Sequence, residues 1–596
     1  MTPTRLIITI TSDDSINTKG TECTKSRIEP EVLNIHPDPV FLRENGIELF
    51  AVGSPIFHEK IELQTVANAL LHSRNRTKFV KELNGSFLFF ILDNSKGELN
   101  IYNDRFASIP LYYRNTPKHE FIASITYSDI WNKYNGQSNF NRQDLNFFQL
   151  IHFQRLYGSC TYDSHTRFMS SASVLSYSLN SKSVKIEKYW EPDFRNSGSV
   201  KREEIAALLA SNIDRSIKRR MSDGKTYGLL LSGGLDSRLV LAASKQEMTC
   251  FTFADSYNNE VQISEKVALT KGYPHNFIKR DPDHYSHIID EAVHLGSAMN
   301  VFDHAHALNL GRNITPNAKV ILHGHGIDPF FQGTYLPTKR TKWFGKSTFI
   351  RKLLPIEKNM AAQYVENIKH RLKSISSLAV VKQSRQKYMK EYLVETIQEV
   401  MTEGRRYSDD PYDVWEYVYY QNMSRAFSNL NLLSIRTFAE ERSVSYDNDL
   451  YDLYLRTPIE HRLDGSAHRD ALTMLDPLLA KIPNSNSNLP ATWGPVQATA
   501  RNLFYKSLNR SKLNRSLPSA PNIADRSWPD RNEIFRQRPD IGKLSISLMS
   551  SEALASIEYI DMDRIRKIVS DHSENRGNYG DLLFGLITID KFLTQN

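Results

Sequence analysis

Between Ser232 and Ser237 the chain reads Ser-Gly-Gly-Leu-Asp-Ser, a glycine pair enclosed by two hydroxyls and a carboxylate. Residues of these types in this order suit a polyanion carrying a cation. Glycines let the main chain approach phosphate oxygens that a Cβ would obstruct. Backbone N–H groups at a helix start attract negative charge. A carboxylate in the first helical turn offers Mg²⁺ a hard oxygen ligand. Leu231, Ser232, Gly233, Gly234, Leu235, Asp236 and Ser237 are therefore read as a triphosphate cradle, with Asp236 on the metal. The motif lacks the lysine that a Walker loop places after its last glycine. Further on, the apolar run Val320–Leu322 ends in His323-Gly324-His325-Gly326-Ile327-Asp328, where glycines again permit close backbone approach.

Elements must hold these two corners together. Tyr227–Leu231 has the unbroken apolar character of a buried parallel strand, and Leu235–Ser244 reads as the helix that follows it. Met248–Ala254 predicts a second strand, Asn259–Lys271 a helix, and Pro274–Ile278 the approach to a third strand. This alternation predicts an open, doubly wound parallel sheet, whose ligands sit at the carboxyl ends of the strands. An amphipathic helix, Lys201–Met221, leads into it. Upstream lie short strands at Leu6–Ile10, Ile47–Val52, Gly85–Leu92, Leu99–Tyr102, Leu111–Tyr113, Phe121–Ser124 and Val174–Ser178, with helices at Thr65–Ser73 and Arg142–Leu150. They predict a layered α+β sandwich. The expected organisation is thus two domains, α+β and α/β, at 1–195 and 200–596, with a polar joint at Glu191–Ser199 and a helical insertion over about 340–410.

At 596 residues the chain exceeds what one core supports. Its three cysteines, Cys23, Cys160 and Cys250, show neither metal spacing nor a disulfide framework, which suits a reducing cytoplasm. No apolar run approaches the ~20 residues of a membrane span. The net charge of +8 permits an acidic partner. Two basic, aromatic-bearing clusters, 339–352 and 501–515, are read as solvated faces of helices and loops. Nucleic acid is not the expected partner.

The motif Ser232–Ser237 is the pyrophosphatase-loop signature, and the wider chain resembles the asparagine synthetase superfamily. Leu83–Asp93 followed by Asn103–Tyr113 is similar to that family's glutamine amidotransferase domain, which implies an N-terminal-nucleophile αββα sandwich in front. The chain opens Met1-Thr2-Pro3 where those glutaminases begin Met-Cys, and the loops that hold glutamine are not found; Gly53–Phe57 stands near one of them. A threonine can serve as nucleophile with its own amine as base, but the proline behind Thr2 argues against it. The domain is expected to be a scaffold without glutaminase activity.

In the second half, the family's Ser-Gly-Glu-Gly-Ser-Asp-Glu passage matches His323–Pro329, so the resemblance puts Asp328 on Mg²⁺ with Asp236. It also implies ATP as co-substrate, with Gly324 among the residues that bind it and the residues after the second strand, Phe253 and Ala254, around adenine. Glu260 sits where the family often has an acid. His325 replaces a glutamate that is a candidate base. β-Lactam synthetases and lasso-peptide cyclases, which use an amine in place of ammonia, also depart from the parent motif here. Lys481, with Arg469 as a second choice, falls where the family carries a charge-stabilising lysine on a loop, and His323 is read as structural. The implied chemistry joins a small-molecule, saccharide or peptide carboxylate to an amine or ammonia. A non-catalytic relic and a tRNA-modifying enzyme are the competing readings.

Overall fold

The computed structural model describes residues 5–16, 22–33, 35–115, 121–137, 140–194, 200–367, 377–425, 429–510 and 530–595. In the front half the strands are β1 (Arg5–Ile16), β2 (Glu22–Leu33), β3 (Val40–Glu44), β4 (Ile47–Phe57), β5 (Lys60–Ile61), β6 (Asn84–Asp93), β7 (Glu98–Asn103), β8 (Tyr112–Asn115), β9 (Phe121–Ser124), β10 (Thr166–Phe168), β11 (Ser173–Ser178) and β12 (Val184–Lys188). They form two antiparallel sheets, ordered β10-β8-β9-β1-β2 and β12-β11-β7-β6-β4-β3, with β5 beside β4. Strand β6 explains the layering. Every one of its residues is buried. Successive side chains of a strand point to opposite faces: Leu88, Phe90 and Leu92 enter the core between the sheets, while Phe87, Phe89 and Ile91 meet the helices Leu63–His72 and Arg76–Glu82. Helix Tyr127–Tyr134 covers the other sheet. This is the αββα sandwich expected. Thr2 lies outside the described residues.

The second half carries β13 (Tyr227–Leu230), β14 (Thr249–Ala254), β15 (His275–Lys279), β16 (Val320–His323) and, after a hairpin of β17 (Thr338–Trp343) and β18 (Lys346–Leu353), β19 (Glu440–Ser443). Strands β15-β14-β13-β16-β19 make one sheet, all neighbours parallel. Helices lie on both faces, Arg202–Arg220 and Asp236–Ala243 on one, Asn429–Arg436 on the other. From β13 the chain winds outward through β14 and β15, then returns to the opposite side through β16. The direction of winding reverses between β13 and β16, where such sheets open a crevice.

Two expectations need correction. The 340–410 insertion is not helical throughout: it opens with the β17–β18 hairpin, and helices Met360–Asn367 and Gln386–Gly404 follow. Lysines and arginines hide the strand pattern there, but Thr341, Trp343, Thr348, Phe349 and Ile350 favour a pleated surface. Phe344 and Gly345 both take positive φ, as a tight hairpin turn demands. The basic cluster 339–352 is accordingly a two-stranded ribbon. Strand β19, Glu-Glu-Arg-Ser, also escapes the hydrophobic pattern although all four residues are buried. Its charges are paired: Arg442 with Asp223 and Glu440, and Glu441 with Arg436.

The two halves share a hydrophobic core that runs from Tyr112 and Trp131 to Leu239. Polar contacts also join them: Ser54 Oγ donates to Glu440 Oε1 at 2.5 Å, Arg105 pairs with Asp452 at 3.0 Å, and the Asn448 N–H donates to Asn84 Oδ1 at 3.2 Å. Gly53–Phe57 is the end of β4, paired with β6.

Candidate active site at the reversal of the sheet

A cavity of about 320 Å³ opens at the carboxyl ends of β13 and β16. Its walls include Leu231, Ser232, Asp236, Ser237, Phe253, Glu260, Gly324, His325 and Asp328, bringing together most of the residues singled out from the sequence. The two corners touch through Gly324: a Cβ there would stand 2.5 Å from the backbone carbon of Asp236. Only glycine permits that approach. Gly326 serves another need, since its φ of +89° opens the helix Ile327–Gln332 that carries Asp328.

Asp236 accepts a hydrogen bond from Gln332 Nε2 at 2.8 Å, and the buried His468 ring lies 3.1 Å away. Both engage Oδ1, so Oδ2 is left as a hard oxygen donor. Asp328 lines the same cavity, and Thr334 Oγ1 lies 3.4 Å from its Oδ2. Among the described residues no group of three or more His, Cys, Asp or Glu side chains could by itself hold a metal ion. Two carboxylates beside a phosphate-sized opening nonetheless fit Mg²⁺, which usually keeps waters and takes substrate phosphates as its other ligands.

The glycine turn differs from its sequence reading. Ser232 and Ser237 cross-brace it, with hydroxyl oxygens 3.0 Å apart and the Ser232 N–H donating to Ser237 Oγ at 3.0 Å. Gly233, Gly234 and Leu235 are not on the cavity wall. The Ser485 N–H donates to Gly233 O at 2.9 Å, and a Cβ on Gly233 would meet the Ser485 side chain at 2.7 Å. Arg238 holds this covering loop: its buried guanidinium donates to the carbonyls of Gly233, Leu479, Pro483 and Ile482. Burial lowers the Arg238 pKa to about 10, so it stays charged at neutral pH. Lys481 ends the helix Pro477–Lys481, is exposed, and does not line the cavity; nor does Arg469, which is bonded to the Asp464 carbonyl.

His325 is half-buried on the cavity wall, and burial, reinforced by the neighbouring His323, pushes its pKa down to about 3. It is neutral at physiological pH. His323 is structural: its Nδ1 accepts the His325 N–H at 3.3 Å, and its Nε2 meets Glu441 Oε1 at 2.6 Å. Arg436 closes the chain at 2.6 Å from Glu441 Oε2. Burial alone would raise the Glu441 pKa, but Arg436 and His323 outweigh it and hold the carboxyl near 2. Ser445 Oγ donates to the His325 carbonyl. Gln332, His468, Ser485, Glu441 and Arg436 thus shape the site without any spacing in the sequence that marks them, because each arrives on a different element.

The asparagine synthase family model matches residues 208–488, and the glutamine amidotransferase domain model matches residues 64–190. The chain is 25% identical over 386 residues to "Asparagine synthetase [glutamine-hydrolyzing] 2" of Bacillus subtilis (strain 168), covering 55% of this chain and 48% of that protein. It is 25% identical over 371 residues to "Putative asparagine synthetase [glutamine-hydrolyzing] 2" of Methanocaldococcus jannaschii, covering 56% and 70%. The match spans about half the length of the first relative. Among solved structures, a glutamine phosphoribosylpyrophosphate amidotransferase from B. subtilis aligns at 9% identity over 61% of this chain and 83% of that one, with a TM-score of 0.21. The structure titled "allosteric regulatory enzyme of purine biosynthesis" aligns at 8% identity over 48% and 64%, with a TM-score of 0.20. Scores this low carry no structural argument.

Proposed function

Because this chain belongs to the asparagine synthetase superfamily, with an amidotransferase-type domain ahead of the synthetase-type domain, we propose that it is an ATP-dependent ligase that converts a carboxylate into an amide through an acyl-adenylate. One arrangement carries the reading. Asp236 and Asp328 lie in the first turns of the helices that follow adjacent parallel strands, β13 and β16, and line a single cavity where the sheet reverses.

The substrate carboxylate attacks the α-phosphorus of ATP, the bond to the bridging oxygen breaks, and pyrophosphate leaves. Asp236, through Oδ2, and Asp328 would hold Mg²⁺. Bound there, the ion neutralises charge on the departing phosphates. Ser232 and Ser237, whose hydroxyls brace the turn, line the same space. Phe253 and Leu231 supply apolar walls for the base. An amine or ammonia then adds to the acyl carbon and gives up a proton, and the bond from that carbon to the AMP oxygen breaks, so that AMP leaves with the electron pair. His325, neutral, accepts a hydrogen bond from the attacking nitrogen and orients its lone pair. A phosphate bound beside it would favour the imidazolium and so make it a better proton acceptor. Lys481, exposed and outside the cavity wall, is assigned no step. The front domain is read as a scaffold without glutamine hydrolysis; Gly53–Phe57, which stands near a glutamine-holding loop of the family, is a strand end paired with β6 and bonded through Ser54 to the second domain.

ATP–pyrophosphate exchange across a panel of carboxylates tests the reading. Carboxylate-dependent exchange that disappears in Asp236→Ala is expected. Exchange that survives this substitution would remove the metal assignment, and no exchange together with no ATP binding would leave a non-catalytic scaffold.

A further inference from the structure

The hairpin that carries the first basic cluster is brought by the fold against the helix in which the second cluster begins, about 150 residues further along the sequence. No acidic residue occurs between Asp328 and Glu357, or between Asp476 and Asp525. The first stretch forms the β17–β18 hairpin, and the second contains the helix Pro495–Arg510, which packs along β18. The Phe349 N–H of β18 donates to Thr499 Oγ1 at 2.9 Å. The surface they share is basic through Lys339, Arg340, Lys342 and Lys352, all exposed. Two apolar groups of these elements are also exposed: Phe344 at the hairpin tip is 96% exposed and Val496 of the helix 57%. Cations interleaved with uncovered apolar side chains mark an interaction surface better than a solvating one.

Three observations narrow the occupant. First, β17 and β18 form a sheet of their own, so among the described residues the outer edge of β17 pairs with no strand. An open edge offers main-chain donors and acceptors to an extended peptide. Second, lysine and arginine along that edge repel a second copy of the same strand and complement an acidic one. Third, each half of the surface is tied to one corner of the cavity. Arg351 of β18 donates to the carbonyls of Gln332, Gly333 and Leu463, and Gln332 in turn donates to Asp236. Arg501 donates to the carbonyl of Asn488 at 3.4 Å, in the loop whose Ser485 covers Gly233.

We propose that the outer edge of β17, with the basic and apolar surface shared by the hairpin and the 495–510 helix, docks an extended acidic peptide and presents one of its carboxylates to the cavity. Presentation to the cavity rests on the ligase reading; docking does not. Nucleic acid would satisfy the cations but brings no carboxylate, and a polyuronate brings no strand-spaced amides for the edge.

Fluorescence anisotropy with a labelled peptide alternating Glu and Val tests docking on the full chain, without ATP. Binding should weaken steeply with salt. It should fall at least about tenfold in a Lys339→Glu/Arg340→Glu/Lys342→Glu variant and again in Phe344→Ser, both exposed sites where circular dichroism checks folding. Asp236→Ala should bind the peptide as the wild type does. Peptide binding that persists in the charge-reversed variant overturns the proposal, as does tighter binding of polygalacturonate, tRNA or phosphatidylserine vesicles than of the peptide. Exchange with a small free carboxylate but no peptide binding removes the docking surface and keeps the ligase. Peptide binding without exchange on any carboxylate keeps the docking surface and removes the ligase.

Discussion

Asp104 in the front sandwich and Asp236 in the second domain both follow a strand tip, and their surroundings could hardly differ more. Asp104 is wholly buried. It accepts from the Phe106 N–H at 2.9 Å, from Ser108 Oγ at 2.6 Å and from the Phe87 N–H at 3.2 Å, and burial raises its pKa despite those bonds. Asp236 has one oxygen engaged and faces a cavity. The first carboxylate is consumed by its own loop and ties a turn to a neighbouring strand. The second is held in place by other elements and keeps an oxygen for a ligand. A carboxylate at a strand tip therefore announces chemistry only when its partners leave part of it unsatisfied.

Removing a carboxylate that is both buried and paired should cost most. Glu441→Ala strands His323 and Arg436 and is expected to lower stability by about 3–5 kcal/mol, read by denaturant unfolding. Because the Glu441 pKa is depressed from 4.5 to about 2, its contribution is complete above about pH 4.5 and is lost as pH falls toward 2. The variant should lack that acid-limb loss. Next comes the cavity carboxylate. Asp236→Asn is expected to reduce carboxylate-dependent exchange about 100- to 1,000-fold while leaving Tm unchanged, and equal losses of stability and rate would erase the contrast with Asp104. Asp104→Asn turns an amide donor toward N–H donors and should cost about 1–3 kcal/mol, with exchange per folded molecule intact. If exchange fell in step with Asp236→Asn, the front aspartate would belong to the site. The smallest effect is expected at His325. Its pKa lies below the ordinary 6.5, so folding is favoured above that value and weakened as pH drops toward 3. His325→Gln should flatten this slope in a pH series of Tm values and slow amide formation more than exchange.

Much of the architecture was legible because period-2 and unbroken apolar runs report burial directly. Strands β6, β13, β14 and β16 and the helix Asn259–Lys271 are of this kind, as is the motif around Asp236. The pattern failed wherever charges were neutralised by distant partners or exposed on a ribbon. Strand β19 reads as surface because its glutamates and arginine find opposite charges on elements far along the chain. The β17–β18 hairpin reads as loop or helix because its basic residues outnumber its β-formers. Lys481, placed near the phosphates by resemblance alone, stands exposed outside the cavity wall.

The family resemblance singled out His325 and Asp328; by itself, the amino-acid order determined the two layered domains and the glycine corners. These depend on local backbone freedom and on the spacing of apolar side chains, which a linear string records. Only the tertiary structure decided that Gly324 presses against the Asp236 backbone, that Ser485 and Arg238 close over Gly233, that Glu441 steadies His323, and that the basic hairpin packs against the 495–510 helix. Those outcomes depend on which element lands beside which, and contact between residues hundreds of positions apart leaves no periodic trace in the chain.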